Sequence, residues 1–151
     1  MPEPERPLDS AGFAKAAYEA ALGREFPTNV FCAPQLRWAV IGCGVIANQM
    51  ADSLALAGRR IEGVANRHVE KARAFAAAHG VPRVYQTFEE LYADPGIDAI
   101  YITTPHNTHI DFIRDAAAAG KHILCEKAIT LNTAELDEGM RLAAENGVVL
   151  M

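Results

Sequence analysis

A glycine-rich segment between an apolar run and a helical pattern carries the strongest chemical signal in the sequence. Trp38 to Ile41 is typical of a buried strand, and Gly42, Gly44 and Ala47 follow it in the pattern G-x-G-x-x-A. In this pattern the first glycine permits a tight turn, and the second lets the backbone approach a pyrophosphate. The small third residue lets the helix pack closely on the strand. The segment therefore predicts a phosphate-binding loop.

The helix that follows the loop adds to this prediction. Val45 and Ile46 fall in its first turn, where N–H groups have no partner within the helix and the helix dipole is positive. Such a terminus favours an anion, so the strand, loop and helix together predict a dinucleotide site. A purely structural turn is the alternative interpretation, because glycine-rich turns are common. Cys43 is interpreted as a small loop residue rather than a nucleophile.

The residues after the second predicted strand bear on the choice of dinucleotide. In NAD sites an acidic residue about 20 positions beyond the glycines binds the adenosine ribose, whereas this chain has Asn66 and Arg67 there. Without a carboxylate there is no repulsion against a 2′-phosphate, and the Arg67 guanidinium is a forked donor for it. We therefore expect NADP in preference to NAD, although Asn66 can still hydrogen-bond a ribose hydroxyl. The alternative for Arg67 is a solvated residue at a strand end.

Short apolar runs that alternate with alanine-rich helical stretches must position these groups. The predicted strands are Leu36 to Ile41, Ile61 to Ala65, Arg83 to Tyr85, Ala99 to Thr103, His122 to Cys125 and Val148 to Leu150. The predicted helices are Gly44 to Ala57, Val69 to His79, a short helix capped by Thr87, Thr108 to Ala119, and a last helix capped by Asn132 that ends near Gly147. This alternation predicts an α/β fold with a doubly wound, mainly parallel sheet of the Rossmann type.

The first 35 residues differ in character from the rest. The first ten hold three prolines and mixed charge, and a weakly amphipathic, alanine-rich stretch follows from Ser10 to Gly23. We expect an N-terminal arm over residues 1–35, with a short helix and a linker, before a single α/β domain over residues 36–151.

Composition excludes several classes of function. Half of the 151 residues are apolar, 22% are charged and the formal net charge is -5, which is typical of a globular domain and argues against a general binder of nucleic acid or anionic membranes. No apolar run approaches the roughly 20 residues of a membrane span. The three cysteines show no metal or disulfide spacing, and the acidic, proline-containing N-terminus is unlike a signal peptide. These features predict a cytoplasmic protein without a bound metal.

Two further segments make a family resemblance specific. Thr104-Pro105-His106-Asn107-Thr108-His109 follows the fourth predicted strand, and Glu126-Lys127-Ala128 follows the fifth. With the glycine loop, they resemble the N-terminal half of the Gfo/Idh/MocA oxidoreductases, in which T-P-x-x-x-H and E-K-P recur at these places. The resemblance covers about residues 36–151. It implies an NAD(P)-dependent oxidoreductase, and most members act on sugars, inositols or related polyols.

The resemblance also implies roles for individual residues. Thr104 and Pro105 would lie near the nicotinamide-side ribose, and His109 would pack close to the cofactor. Glu126 would contact the cofactor or hold the lysine, and Lys127 would lie beside the nicotinamide, where oxidation of an alcohol needs a proton acceptor. From the residues alone, Glu126 and Lys127 are an ordinary solvated strand end. The family's proline is Ala128 here, so one rigid element of the backbone near the lysine is missing.

Family members continue beyond the sixth strand into a substrate domain that supplies a catalytic histidine in many of them. We expect that domain to be absent here, so the chain alone would bind a cofactor with little or no turnover, and a sugar or polyol only if the missing domain were supplied. One alternative is a stand-alone nucleotide-binding or redox-sensing module that acts with a partner chain. Another is a Rossmann-like methyltransferase, against which the motifs argue. Val148 to Met151 would form an exposed sheet edge prone to self-association.

Overall fold

The computed structural model describes residues 35–151, so the predicted N-terminal arm lies outside the described residues. Leu36–Met151 forms one compact unit. Its strands are β1 (Trp38–Ile41), β2 (Gly63–Ala65), β3 (Arg83–Val84), β4 (Ala99–Ile102) and β5 (His122–Cys125). Its α-helices are α1 (Val45–Leu56), α2 (Val69–His79), α3 (Phe88–Ala93), α4 (His109–Ala118) and α5 (Thr133–Glu145), and a 3-10 turn spans His106–Thr108.

The five strands form one parallel sheet in the order β3-β2-β1-β4-β5. Ile41, at the end of the central strand β1, is paired with Ala65 of β2 on one side and with Ile102 of β4 on the other. The chain thus runs from β1 outward to β3 and then crosses back to β4. In such sheets ligands bind beyond the carboxyl ends of the strands, at the point where the order reverses, which here lies between β1 and β4.

Helices cover both faces of the sheet, as the alternating pattern predicts. Successive strand side chains point to opposite faces, so Ile41 and Ile102 belong to one apolar cluster while Val40 and Tyr101 belong to the other. The first cluster includes Leu91 of α3 and Ile113 of α4, and the second includes Ala47 and Ala51 of α1 and Ala72, Phe75 and Ala76 of α2. Each fully buried isoleucine stabilises the fold by about 1.5–3 kcal/mol. The doubly wound fold class is therefore confirmed.

The predicted helix starts are confirmed at two caps. The Glu90 amide donates a hydrogen bond of 3.3 Å to Thr87 Oγ1 at the start of α3. The Glu135 amide donates one of 3.0 Å to Asn132 Oδ1 at the start of α5, and the Glu135 carboxylate accepts one from the Leu131 amide. These reciprocal bonds satisfy amides that a helix start otherwise leaves unpaired. Among residues 35–151, the helices lack the combination of length and apolar character that a membrane span requires.

Several predicted boundaries differ from the structure by one or two residues, and one predicted strand is wrong. Val148 to Leu150 is not a regular strand: Leu150 forms a single parallel bridge with Ile123 of β5. Three backbone hydrogen bonds join the segment to β5: the Ile123 amide donates to the Val149 carbonyl, the Met151 amide donates to the Ile123 carbonyl, and the Cys125 amide donates to the Met151 carbonyl. The helix predicted from Thr108 begins at His109, because Thr108 closes the 3-10 turn through a hydrogen bond from its amide to the Pro105 carbonyl.

Candidate functional site

A cleft of about 370 Å³ lies beyond the carboxyl ends of β1, β2 and β4. Six of the residues singled out by the sequence line it together: Gly42, Gly44, Asn66, Arg67, Thr104 and Pro105. They come from three loops that are far apart in the chain and meet because the parallel strands end at the same sheet edge.

Gly42 forms the floor of the cleft, where the ends of β1 and β4 touch. Its φ is 99°, and its amide donates a hydrogen bond of 3.0 Å to the Ala65 carbonyl. A Cβ at this position would lie 2.6 Å from Thr103 Oγ1 and 3.1 Å from the Thr103 carbonyl. Thr103 cannot easily move, since its amide and hydroxyl both donate to the Ile41 carbonyl. Only glycine fits both the backbone conformation and the space.

Gly44 opens helix α1 toward the cleft. It occupies the N-cap position, and a Cβ built on it would meet nothing within 4 Å. Within the part of the chain that the structure describes, no side chain caps this helix and its first turn holds no acidic residue. Val45 and Ile46 are 72% and 41% exposed. The first-turn amides of α1 are therefore available to an anion.

Ala47 lies on the opposite side of the same turn. It is fully buried, and it belongs to the apolar cluster that contains Val40 of β1. Its small side chain lets α1 approach the sheet closely, which aims the start of the helix at the cleft.

Two positively charged side chains lie near the end of β2. The Asn66 side-chain amide donates a hydrogen bond of 3.0 Å to the His68 carbonyl, which leaves its Oδ1 as an acceptor for a ligand hydroxyl. Arg67 and Lys71 are both exposed and both line the cleft. The sequence analysis did not predict Lys71 as a site residue, although its position in the first turn of the helix after Arg67 was an available signal. An anionic group in this part of the cleft would meet two cations.

Cys43 lies between the two glycines of the loop and is half-buried. Burial raises the pKa of its thiol to about 11, and the nearby Lys71 ammonium lowers the pKa by a smaller amount. The thiol is therefore protonated at neutral pH, which agrees with its interpretation as a small loop residue.

His109 is fully buried and does not line the cleft. Its Nε2 lies 2.8 Å from the carbonyl oxygen of Thr104. Its Nδ1 lies 3.0 Å from the carbonyl of Ala128 and 3.2 Å from that of Ile129. The ring thus contacts the backbone of the two loops that follow β4 and β5, and its nitrogens are directed at these carbonyls.

Glu126 and Lys127 follow β5 at the same sheet edge, outside the set of residues that line the cleft. The Glu126 amide donates a hydrogen bond to the Ile102 carbonyl, and its carboxylate accepts one from the hydroxyl of Tyr101 in β4. The Lys127 side chain is exposed, and the peptide bond between Lys127 and Ala128 is cis. Tyr101 was missed by the sequence analysis; a hydroxyl in a buried strand, which needs a partner, was the available signal.

The arrangement suits an elongated ligand with several phosphates. Cations stand at one end of the cleft, uncapped helix amides in the middle, and the hydroxyls of Thr104 and Thr108 at the other end. Residues 35–151 contain no group of three or more histidine, cysteine or acidic side chains that could hold a metal ion.

Comparison with known proteins shows the family of the chain. Residues 36–151 match the family GFO_IDH_MocA, described as an oxidoreductase family with an NAD-binding Rossmann fold. The chain is similar to the trans-1,2-dihydrobenzene-1,2-diol dehydrogenase of Mus musculus, with 37% identity over 119 residues, which are 77% of this chain and 36% of the relative. It thus spans about a third of the length of the curated relatives that it matches.

Solved structures agree with this assignment. An NAD-binding oxidoreductase from Klebsiella pneumoniae is 30% identical, with a TM-score of 0.73, and the match covers 78% of this chain and 34% of that one. A 3-ketoreductase from Actinomadura kijaniata, solved with NADP and TDP-benzene, is 29% identical, with a TM-score of 0.72, and the match covers 78% and 37% of the two chains. The chain therefore belongs to the Gfo/Idh/MocA family of oxidoreductases, and residues 36–151 form its NAD(P)-binding Rossmann domain.

Proposed function

We propose that this chain is the NADP-binding part of a dehydrogenase or ketoreductase that acts on a hydroxyl-bearing carbon of a sugar, polyol or related diol. The proposal rests on the arrangement of the cleft. The uncapped start of α1 and the cations Arg67 and Lys71 lie on one side of Gly42, and the Thr104 loop lies on the other side. The positive charges and the uncapped helix start suit the phosphates of a dinucleotide.

The preference for NADP rests on charge at the end of β2. In a site specific for NAD, a carboxylate binds the ribose hydroxyls and would repel a 2′-phosphate. Here Asn66 occupies that region, and Arg67 and Lys71 add two positive charges. Arg67 would donate to the phosphate in a forked geometry, and Lys71 would act as a point charge.

We further propose that Lys127 is the catalytic residue. The nicotinamide, when bound, supplies or accepts the hydride. The proton must then move to or from the substrate oxygen. Lys127 is an exposed amine on the loop after β5, and β5 neighbours β4, the strand that precedes the Thr104 loop. The Glu126 carboxylate, held by Tyr101, fixes the start of this loop. Thr104 and Pro105 would contact the nicotinamide-side ribose.

The substrate class is inferred from the relatives. The mouse relative is named as a dehydrogenase of a diol, and the Actinomadura neighbour is named as a 3-ketoreductase. Because the chain spans about a third of such proteins, we propose that groups outside these 151 residues bind the substrate. The chain alone would then bind NADP with little or no turnover. We place its action in the cytoplasm, and propose that the edge around Val148 to Met151 pairs with a second copy.

Calorimetric titration of the purified chain with NADPH and, separately, with NADH tests the proposal. We expect saturable binding of both, with NADPH bound at least about tenfold more tightly, because one added charge-assisted interaction is worth about 1.5–3 kcal/mol. Equal affinities for NADPH and NADH would contradict the proposed preference for NADP. Binding of neither dinucleotide would contradict the proposed function. An assay of NADPH oxidation with simple ketoses and of NADP reduction with polyols should give little turnover.

A further inference from the structure

We propose that His109 is a positioning residue that joins the loops after β4 and β5, and thereby sets the affinity of the site for the nicotinamide half of the cofactor. This inference rests on the proposed function. It assigns His109 no contact with the cofactor, because its ring is fully buried and lies outside the cleft wall.

The hydrogen-bonding pattern of the ring supports the joining role. Nε2 faces the Thr104 carbonyl at 2.8 Å, and Nδ1 faces the Ala128 carbonyl at 3.0 Å. Carbonyl oxygens only accept hydrogen bonds and a neutral imidazole carries one N–H, so the ring donates to the carbonyl of one loop and packs against the carbonyl of the other. A buried ring N–H without a partner would cost free energy, and the accepting carbonyl would lose its partner if the ring were removed.

The two carbonyls belong to residues adjacent to proposed cofactor contacts. Thr104 precedes Pro105 in the cleft wall, and Ala128 follows Lys127. The Thr104 loop is also braced from within, since the Thr108 hydroxyl lies 2.9 Å from Thr104 Oγ1 and 2.7 Å from the Pro105 carbonyl. His109 extends this bracing to the neighbouring loop. A shift of either carbonyl would therefore move the groups that face the ligand.

The position of these loops in the sheet restricts the effect to one half of the dinucleotide. Asn66 and Arg67 follow β2, on one side of β1, whereas β4 and β5 lie on the other side. A dinucleotide with its pyrophosphate at Gly44 and its adenosine at the end of β2 has its other half over β4 and β5. His109 should therefore influence the nicotinamide half and leave the adenosine half unaffected.

The test compares the whole cofactor with its adenosine fragment. Calorimetry would measure the affinity of the chain and of His109→Gln for NADPH and for adenosine 2′,5′-bisphosphate. We expect His109→Gln to bind NADPH about tenfold more weakly, which is the loss of about one buried hydrogen bond, and to bind the fragment as the unchanged chain does. His122→Gln is the matched control: His122 lies at the start of β5, outside the cleft wall, where its Nδ1 accepts a hydrogen bond of 3.1 Å from the Val149 amide, and both affinities should stay unchanged.

An equal loss of affinity for both ligands would overturn the inference, because a general role in folding acts on the whole site. Unchanged affinity for both ligands would overturn it as well. If the unchanged chain binds neither ligand, the proposed function fails, and hydrogen exchange then tests the joining role alone. His109→Gln should speed exchange in the loops at 103–108 and 126–131 together, while a change confined to one loop would contradict it.

A second measurement covers the case in which His109→Gln does not fold. In the unchanged chain, nuclear magnetic resonance should show a His109 ring N–H that exchanges slowly with water, because the ring is buried and hydrogen-bonded. Its resonance should shift on addition of NADPH and stay in place on addition of the bisphosphate. A shift of equal size with both ligands, or none with NADPH, would overturn the inference.

Discussion

The hydroxyl of Tyr101 in β4 donates a hydrogen bond to the carboxylate of Glu126, which stands just beyond the end of the neighbouring strand β5. Burial raises the pKa of Tyr101, and the hydrogen bond to Glu126 raises the pKa further, so the hydroxyl remains a donor at all physiological pH values. The bond ties the motif that carries Lys127 to the middle of the sheet. A residue of the core thus supports a loop of the proposed active site.

Removal of this hydroxyl should affect both stability and ligand binding. Tyr101→Phe should lower the free energy of unfolding by about 1.5–3 kcal/mol, the value of a hydrogen bond to a charged group, and should weaken NADPH binding because Glu126 is no longer held. Urea denaturation and calorimetry measure the two effects. Tyr85→Phe is the control, since the Tyr85 hydroxyl donates to Asp94 at 2.7 Å in a different part of the sheet. Tyr85→Phe should lower the free energy of unfolding and leave the affinity for NADPH unchanged. An equal loss of NADPH affinity in both variants would contradict this expectation.

Alanine substitutions at the two glycines of the loop should have different effects on stability and on NADPH binding. Gly42→Ala should destabilise the fold by more than about 2 kcal/mol, because a left-handed backbone strains alanine and its Cβ would lie 2.6 Å from Thr103 Oγ1. Gly44→Ala should cost less than about 1 kcal/mol, since its Cβ meets open space. That Cβ would nevertheless stand where the pyrophosphate approaches.

Thermal unfolding and calorimetry separate these outcomes. Gly44→Ala should melt close to the unchanged chain and bind NADPH at least about tenfold more weakly. Normal NADPH affinity in a folded Gly44→Ala variant would argue that the phosphates bind elsewhere.

The cations beyond β2 should determine which cofactor is preferred. Arg67→Ala should reduce the affinity for NADPH by about ten- to a hundredfold and leave that for NADH nearly unchanged, because the lost charge-assisted contact is worth about 1.5–3 kcal/mol. Lys71→Ala should have a smaller effect in the same direction. Arg73→Ala is the matched control on helix α2, since Arg73 pairs with Glu70 at 3.1 Å and does not line the cleft. Parallel losses for NADPH and NADH in Arg67→Ala would exclude a 2′-phosphate contact.

The reactivity of Cys43 should depend strongly on pH. With a pKa raised to about 11, the thiolate fraction at pH 7 is far below that of an ordinary cysteine with a pKa of about 8.5. Alkylation by iodoacetamide, followed by peptide mass spectrometry, should therefore accelerate about tenfold per pH unit between pH 7 and 10. Saturating NADPH should slow it, because the ligand covers the loop. Rapid alkylation at pH 7, unaffected by NADPH, would contradict both expectations.

Much of the fold was predictable because its signals are local. The caps at Thr87 and Asn132 are recognisable within four residues of sequence, and the strand before Gly42 is a short apolar run. These patterns also establish the alternation of strands and helices. The prediction of a regular strand over Val148 to Leu150 was wrong, because an apolar run does not indicate how many of its residues pair with a neighbouring strand.

The contacts that support the site were not predictable, since they depend on register between strands. Tyr101 pairs with Leu124 in the β4–β5 ladder, and this register brings its hydroxyl to Glu126 two residues later. His109 reaches Thr104 and Ala128 from the first residue of a helix that packs behind both loops. The family resemblance implied that Glu126 and His109 belong near the site, whereas Tyr101 and the partners of His109 became visible only in three dimensions.

A crystal structure of the chain with NADPH tests the central claim most directly. We predict that the pyrophosphate lies at the amides of Val45 and Ile46 at the start of α1, with the 2′-phosphate at Arg67 and the nicotinamide half over the Thr104 loop. A dinucleotide bound elsewhere on the chain, or in the reverse direction with its adenosine over β4 and β5, would contradict it.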